Sequence, residues 1–318
     1  MNNYSVILIV FFILIWGCNS PQNQKNPYLH HGEGYVEVNG GKIWYAILGE
    51  GDQPPILCLH GGPGGNSASY YNLSELSKER PIIMFDQLGT GRSDHHQDTS
   101  LLKVDLFVEQ VEAVKSELKL NEYYLTGGSW GAALALEYYE AHPEGIKGII
   151  FNSPYFSTPI WTEDADKLVA ALPDSIKAAI YEAERDSLFN TPAYDAANTY
   201  FASLHGRRKE KIKHAYDTID SKRNTFIYNY MWGPSEFTAT GTLRNYDNHQ
   251  SLKKVNVPAL FTTGEFDEAR PETVEKLSKL VPDSKFVVIP DAGHSTLNDN
   301  GKAVRIAIKE FINNIENE

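Results

Sequence analysis

The chain of 318 residues is short of sulfur, with two cysteines and three methionines. Two cysteines cannot build a disulfide framework, and neither stands in the paired spacing of a zinc or redox site. Cys58 lies in the apolar run Ile56-Leu57-Cys58-Leu59 and reads as a small buried hydrophobe. Cys18 lies in a segment of a different kind, so no disulfide between them is expected. Basic residues are also in deficit: 29 Lys and Arg stand against 41 Asp and Glu, a net charge of −12. That balance excludes a nucleic-acid footprint, which needs clustered positive charge. The one basic run, Arg207-Arg208-Lys209-Glu210-Lys211, reads as a solvated helix face rather than a binding patch. The Gly-rich run His60-Gly61-Gly62-Pro63-Gly64-Gly65 lacks both the Lys-Ser/Thr ending of a phosphate loop and dinucleotide-type spacing. No metal, no cofactor and no internal repeat is therefore expected. Apolar content of 42% and charged content of 22% are those of an ordinary globular protein.

Long apolar runs are absent beyond the N-terminus. There, residues 6–16 are apolar without a break, too short for a comfortable membrane span and suited to a secretory signal. Ile15-Trp16-Gly17-Cys18 resembles a bacterial lipobox, in which Cys18 would be lipidated and become the mature N-terminus. An uncleaved anchor or an ordinary signal peptide would use the same run. Residues 1–17 are thus expected to be a signal, and residues 18–33, polar at first and holding Pro21, a flexible tether. The protein is expected to be exported and held to a membrane by a lipid anchor.

The remainder alternates strands with helices. Residues 35–39 and 42–47 read as a hairpin, and residues 55–59, 81–85, 121–126 and 146–152 as further strands. Residues 69–77 read as a short helix. Val104, Phe107, Val108, Val111, Val114 and Leu118 fall at helical spacing, which predicts a helix over 103–119. The alternation stops near Pro154. From there to about Gln250 the pattern is helical and rich in aromatics, among them Tyr155, Trp161, Tyr228, Trp232 and Phe237. It resumes with strands at 258–262 and 285–289 and helices at 271–280 and 302–315. This predicts an α/β fold with a mostly parallel sheet covered on both faces. The core would comprise 34–154 and 251–318, and 155–250 would form an inserted helical cap.

Chemistry concentrates at Gly127-Gly128-Ser129-Trp130-Gly131, a G-x-S-x-G pattern between a β-prone stretch and the helix formers Ala132 to Leu136. A strand turning tightly into a helix is the context that makes this pattern a nucleophile elbow. A serine needs a base, and the base an orienting acid. In α/β-hydrolases these come in the order Ser, Asp or Glu, His. Asp267 and His294 supply that order, each in the loop after a strand, where open α/β sheets place their sites. Glu265 and Asp291 are rivals for the acid; Asp267 lies deeper in its loop. The oxyanion would be held by the backbone N–H of Trp130 and by the loop after strand 55–59, at Gly61 and Gly62. Asp86 and Arg92 read as loop structure.

The stretches His60 to Gly65, Phe85-Asp86-Gln87-Leu88-Gly89-Thr90-Gly91-Arg92-Ser93 and Gly127 to Gly131 together resemble the proline iminopeptidases, serine peptidases with an α/β-hydrolase core and helical cap. Gly233-Pro234-Ser235-Glu236-Phe237-Thr238-Ala239-Thr240-Gly241 and Phe266-Asp267-Glu268-Ala269-Arg270-Pro271 resemble the tricorn-interacting aminopeptidases of that group. The resemblance implies that Glu236 and Glu268 bind the free α-ammonium of the substrate. It implies a serine aminopeptidase acting on short peptides or aminoacyl amides with a free N-terminus, preferentially at proline. The triad would equally serve an esterase, lactonase or amino-acid amidase, and a non-catalytic, lipid-anchored binding protein is a third possibility. The resembled enzymes are typically cytoplasmic, whereas this N-terminus reads as an export signal.

Overall fold

The computed structural model describes Asn26 and residues 28–213 and 223–317. The expected signal and the lipobox cysteine, Cys18, lie outside the described residues. The tether expected over 18–33 is corrected where it is described. The Asn26 side-chain amide donates to the carbonyls of Leu118 and Lys119 at 3.0 and 3.2 Å, and Leu29 is buried in the core. Asn26 and Leu29 are thus docked onto the core, because their polar and apolar groups find partners there.

Eight strands form one sheet in the order β1-β2-β4-β3-β5-β6-β7-β8. β1 (Gly32–Val38) and β2 (Gly41–Leu48) make an antiparallel hairpin at one edge, turning through Gly40 at φ 97°, a backbone conformation that glycine adopts without strain. β2 pairs antiparallel with β4 (Ile82–Phe85). From β4 the sheet is parallel through β3 (Ile56–Leu59), β5 (Tyr123–Ser129), β6 (Ile146–Pro154), β7 (Ala259–Gly264) and β8 (Ser284–Ile289). The winding reverses beside β3: the chain passes to β4 on one side, then returns across β3 to β5 on the other. Parallel α/β sheets bind their ligands at such a reversal.

The strands at the centre are apolar on both faces because both are covered. Leu57, Leu59, Ile83, Phe85, Leu125 and Phe151 face a layer built from α1 (Val104–Glu117), α2 (Trp130–Ala141) and α7 (Pro271–Ser278). Their neighbours Ile56, Cys58, Ile82, Met84, Tyr124 and Ile150 face the 3-10 helix Ser67–Lys78 and α8 (Thr296–Glu316). This is the period-two alternation of a strand partitioned between two cores. The cap contributes α3 (Thr158–Ala170), α4 (Asp174–Asp186), α5 (Pro192–Phe201) and α6 (Thr225–Met231). Its own core gathers Val169, Ile180, Tyr194, Ala197, Phe201 and Phe237.

Two expectations are corrected by local hydrogen bonding. The final helix starts at Thr296 rather than at 302, with a break at Asn300 (φ −148°). The Asn300 side chain accepts from Ala303 N at 3.3 Å and donates to Pro290 O at 2.9 Å, so it caps the helix expected from sequence and separates one preceding turn. The basic run is not helical. After a π-helical turn at Ala202–Gly206 it continues as an irregular strap, because the backbone N–H groups of Arg208 and Lys209 are taken by the Asp299 carboxylate at 3.0 Å.

Phe311 of α8 is buried under β6, where a β-carbon on Gly148 would come within 3.1 Å of its ring. Phe311→Ala should therefore cost about 3–5 kcal/mol of stability. Urea denaturation should give a lower midpoint with an unchanged slope; a midpoint equal to the wild type would show that α8 does not depend on this contact.

Candidate active site

Ser129 ends β5 and immediately precedes α2, at φ 56° and ψ −124°. A serine held there stores on the order of 1–3 kcal/mol of backbone strain, which its surroundings must enforce. They do so by contact too close for side chains. A β-carbon on Gly127 would stand 2.0 Å from Gly131 O, and one on Gly131 would stand 2.0 Å from Leu59 O of the neighbouring strand. Gly128 is different: its added carbon would meet nothing closer than 3.6 Å, so that position is not sterically required.

The loop after β3 presses against this turn. A β-carbon on Gly61 would lie 3.1 Å from the Ser129 β-carbon. Gly61, Gly62, Ser129 and Trp130 line the space above the serine, Gly62 and Ser129 facing both of its compartments. The loop is fixed from below by His60 and Gln87, whose roles carry no signal in the sequence. His60 Nε2 accepts from Gln87 N at 2.9 Å, which assigns the proton to Nδ1, 2.9 Å from Gly61 O. The Gln87 side chain donates to His60 O at 2.9 Å and accepts from Trp130 Nε1 at 3.1 Å. His60 is fully buried, and burial lowers its proton affinity. Asp86 accepts from Ser67 N and Oγ at 2.8 Å and from Arg92 N at 2.9 Å, so it braces the adjoining loops.

Asp267 and His294 come from the loops after β7 and β8 and meet at 2.7 Å, Asp267 Oδ1 to His294 Nδ1. The other Asp267 oxygen accepts from Thr263 Oγ1 and Gly264 N at 3.0 Å, and Oδ1 also accepts from Ala269 N at 2.9 Å. Burial alone would raise this carboxyl, but the His294 charge and these donors hold it below the ordinary carboxylate range. The rivals are engaged elsewhere: Glu265 accepts from Asp291 N at 3.0 Å, and the Asp291 carboxylate pairs with Lys209 at 3.0 Å. His294 shares a cavity of about 330 Å³ with Ser129, and its ring meets the Trp161 ring edge-on at 5.5 Å. Burial opposes an imidazolium there. The carboxylates of Asp267, Glu268 and Glu236 outweigh it and push His294 up to about 9.

Glu268 is buried, with Oε1 3.9 Å from His294 Nδ1. Burial and repulsion from Glu236 push it up to about 8. Glu236 belongs to a tight cap turn closed by a bridge between Ser235 and Thr238, and its carbonyl accepts from Trp161 Nε1 at 2.8 Å. Its carboxylate faces the serine's cavity and also a narrow recess lined by Pro63, Ser129, Trp130, Tyr155, Trp161 and Trp232. One cation joins this cluster without a sequence signal: Arg223 donates to Glu236 Oε1 at 3.1 Å and lies 4.1 Å above the Tyr228 ring. Among the described residues no group of three or more His, Cys, Asp and Glu is arranged to hold a metal. The arrangement offers a serine at a strained turn, an imidazole oriented by a carboxylate, and a carboxylate pair beside an aromatic recess. Chemically, that can form and break an acyl bond on a cationic substrate.

Comparison with known proteins shows what the chain is similar to. The α/β hydrolase fold family matches residues 54–300. A proline iminopeptidase of Heyndrickxia coagulans is 39% identical over 285 residues, 89% of this chain and 99% of that protein. Among solved structures, VinJ superposes with a TM-score of 0.83 at 26% identity, covering 89% of this chain and 99% of that one. A proline iminopeptidase of Mycobacterium smegmatis does so with a TM-score of 0.81 at 27% identity, covering 89% and 98%.

The carboxylates around His294 have a kinetic consequence. Base catalysis needs the neutral imidazole, and each neighbouring anion favours the charged one. Glu268→Gln should therefore move the acid limb of the pH–rate profile to lower pH, measured as kcat/KM on a simple ester without an amine. A limb that stays in place or moves up would mean that Glu268 does not act on His294.

Proposed function

The chain belongs to the proline iminopeptidase family within the α/β-hydrolase fold, and on that premise we propose that it is a serine aminopeptidase that releases an N-terminal residue, preferentially proline, from short peptides. The Ser129 hydroxyl attacks the carbonyl of the first residue while His294 takes its proton. Asp267 orients the imidazole and stabilises its charge. The N–H groups of Trp130 and of the Gly61–Gly62 loop face the developing oxyanion. His294 then gives the proton to the leaving amine, the peptide bond breaks, and an ester to Ser129 remains. Water, activated by the same imidazole, cleaves that ester and frees the amino acid.

One observation carries the exopeptidase reading: Glu236 lines the serine's cavity and the aromatic recess, while the buried Glu268 stands 3.9 Å from His294 Nδ1, where burial and the Glu236 charge favour its protonated form. A bound ammonium relieves the repulsion between these carboxylates, and the first residue of a peptide carries one next to its own carbonyl. The recess of Pro63, Tyr155, Trp161 and Trp232, whose three rings pack edge to face, offers apolar surface to a proline ring. The likeness of residues 233–241 and 266–271 to the tricorn-interacting aminopeptidases supports the same pair. Hydrolysis of Pro-naphthylamide and of its N-acetyl form tests this, with Ser129→Ala as the blank, expected to lose about 10⁴-fold or more in kcat. A charged hydrogen bond contributes roughly 1.5–3 kcal/mol, so Glu236→Gln or Glu268→Gln should each lower kcat/KM for the free amine about tenfold to a hundredfold. Equal cleavage of the acetylated substrate would make the glutamates structural and leave an esterase.

We also propose export and lipidation at Cys18, supported by the unbroken apolar run 6–16 followed by Gly17-Cys18. Among the described residues no helix is long and apolar enough to cross a membrane. In a bacterial host the protein should sediment with membranes, and Cys18→Ser should release it or leave a longer precursor. An unmodified Cys18 by mass spectrometry would end this proposal.

A further inference from the structure

The space above Ser129 has two compartments of different chemistry. The narrow recess is aromatic and ends at Glu236. The larger cavity, about 330 Å³, is lined beyond Ser129 and His294 by the amides of Asn66, Asn72 and Asn298 and by the cations Arg207 and Lys211. In a chain of net charge −12, the described residues of this lining include Arg207, Lys211 and Arg223 beside one carboxylate, Glu236. Arg223 is committed to Glu236 at 3.1 Å. Arg207 makes no ion pair among the described residues.

The cations sit on a defined side. Arg207 comes directly after the turn at Ala202–Gly206, which is bonded to the loop of the imidazole: His294 N donates to His205 O at 2.8 Å and Ser295 N to Gly206 O at 3.0 Å. The strap continues onto Asp299, which also accepts from Gly293 N at 3.0 Å. The backbone at Arg207 is therefore held beside the loop of His294, and both residues line the same cavity. A leaving amine must lie where His294 can protonate it, so the part of the substrate beyond the scissile bond extends into this compartment.

We propose that Arg207 and Lys211 form a subsite for a carboxylate on the leaving part of the substrate. This inference rests on the aminopeptidase reading and narrows it. The favoured substrates are dipolar and small: an ammonium at the Glu236–Glu268 end, and a carboxylate one or two residues beyond the scissile bond. The carboxylate is the free C-terminus of a di- or tripeptide, or the side chain of an acidic second residue. The compartment is at the small end of ligand sites, which run from roughly 300 to 1,000 Å³. Both cations are exposed, and a pair with them is screened over roughly 8 Å at physiological salt, so the preference should be moderate and salt-dependent.

The test compares Pro-Gly with Pro-Gly amide, and Pro-Asp amide with Pro-Asn amide, on the full-length protein. The wild type should favour the carboxylate-bearing member of at least one pair about three- to tenfold in kcat/KM, chiefly through KM. The pair that responds tells the C-terminal from the side-chain source. Added salt should shrink the ratio, and Arg207→Gln with Lys211→Gln should bring it close to one. Ratios near one in the wild type at low salt would overturn the subsite while leaving the aminopeptidase intact. So would a ratio that neither salt nor the double variant alters. Should the variant fold poorly, the salt series on the wild type still decides. Failure to cleave any of the four peptides, with esters still hydrolysed, would sink the underlying reading instead.

Discussion

Close approach of three backbones at residues 127–131 is the constraint on which the rest of the structure depends. β3, β5 and α2 meet where Gly131 leaves no room for a β-carbon beside Leu59 O, and Gly127 none beside Gly131 O. That contact holds Ser129 in a conformation its own residue type disfavours and lifts it out of the sheet. It also fixes the neighbouring loop, since Gly61 packs on the serine and is braced by His60 and Gln87. Because the contact lies where the strand order reverses, the crevice above it is open, and the loops after β7 and β8 can reach it.

Charge is the second organising force. The proposed site concentrates Asp267, Glu268 and Glu236 around one imidazole, an arrangement burial opposes. Each carboxylate is answered differently. Asp267 receives three N–H or O–H donors besides His294. Glu236 is answered by Arg223. Glu268 has the least direct compensation, and its proton affinity rises accordingly. In the proposed reaction an ammonium entering from the substrate would complete the balance. It would also weaken the field of the carboxylates that favours the charged form of His294, so that binding and readiness of the base would be coupled by the same charges.

The cap is joined to this site by more than its aromatic lining. Asp299 accepts backbone N–H groups from the strap at Arg208 and Lys209 and from Gly293 in the histidine loop. A buried carboxylate with several such donors is hard to replace, because the N–H groups would be left without partners. The position of the strap and the position of His294 are therefore not independent.

The sequence by itself determined the parts governed by local rules. Alternation of apolar runs with helical spacing predicted the strands and the covering helices, because periodicity reports which faces are buried. G-x-S-x-G between a strand and a helix marked Ser129, because a turn this tight admits few residue types. The chain order marked Asp267 and His294, which the structure brings to 2.7 Å. Glu236 and Glu268 became visible through family resemblance alone, since nothing in their spacing announces that both act on one imidazole. Only the tertiary structure decided what depends on residues far apart in the chain. Arg223 meeting Glu236, Gln87 bridging His60 to Trp130, and Asp299 binding the strap are such cases. The basic run 207–211 misled for the same reason. Its composition suits a solvated helix, but long-range hydrogen bonds outweigh a weak local propensity and draw it into a strap beside His294.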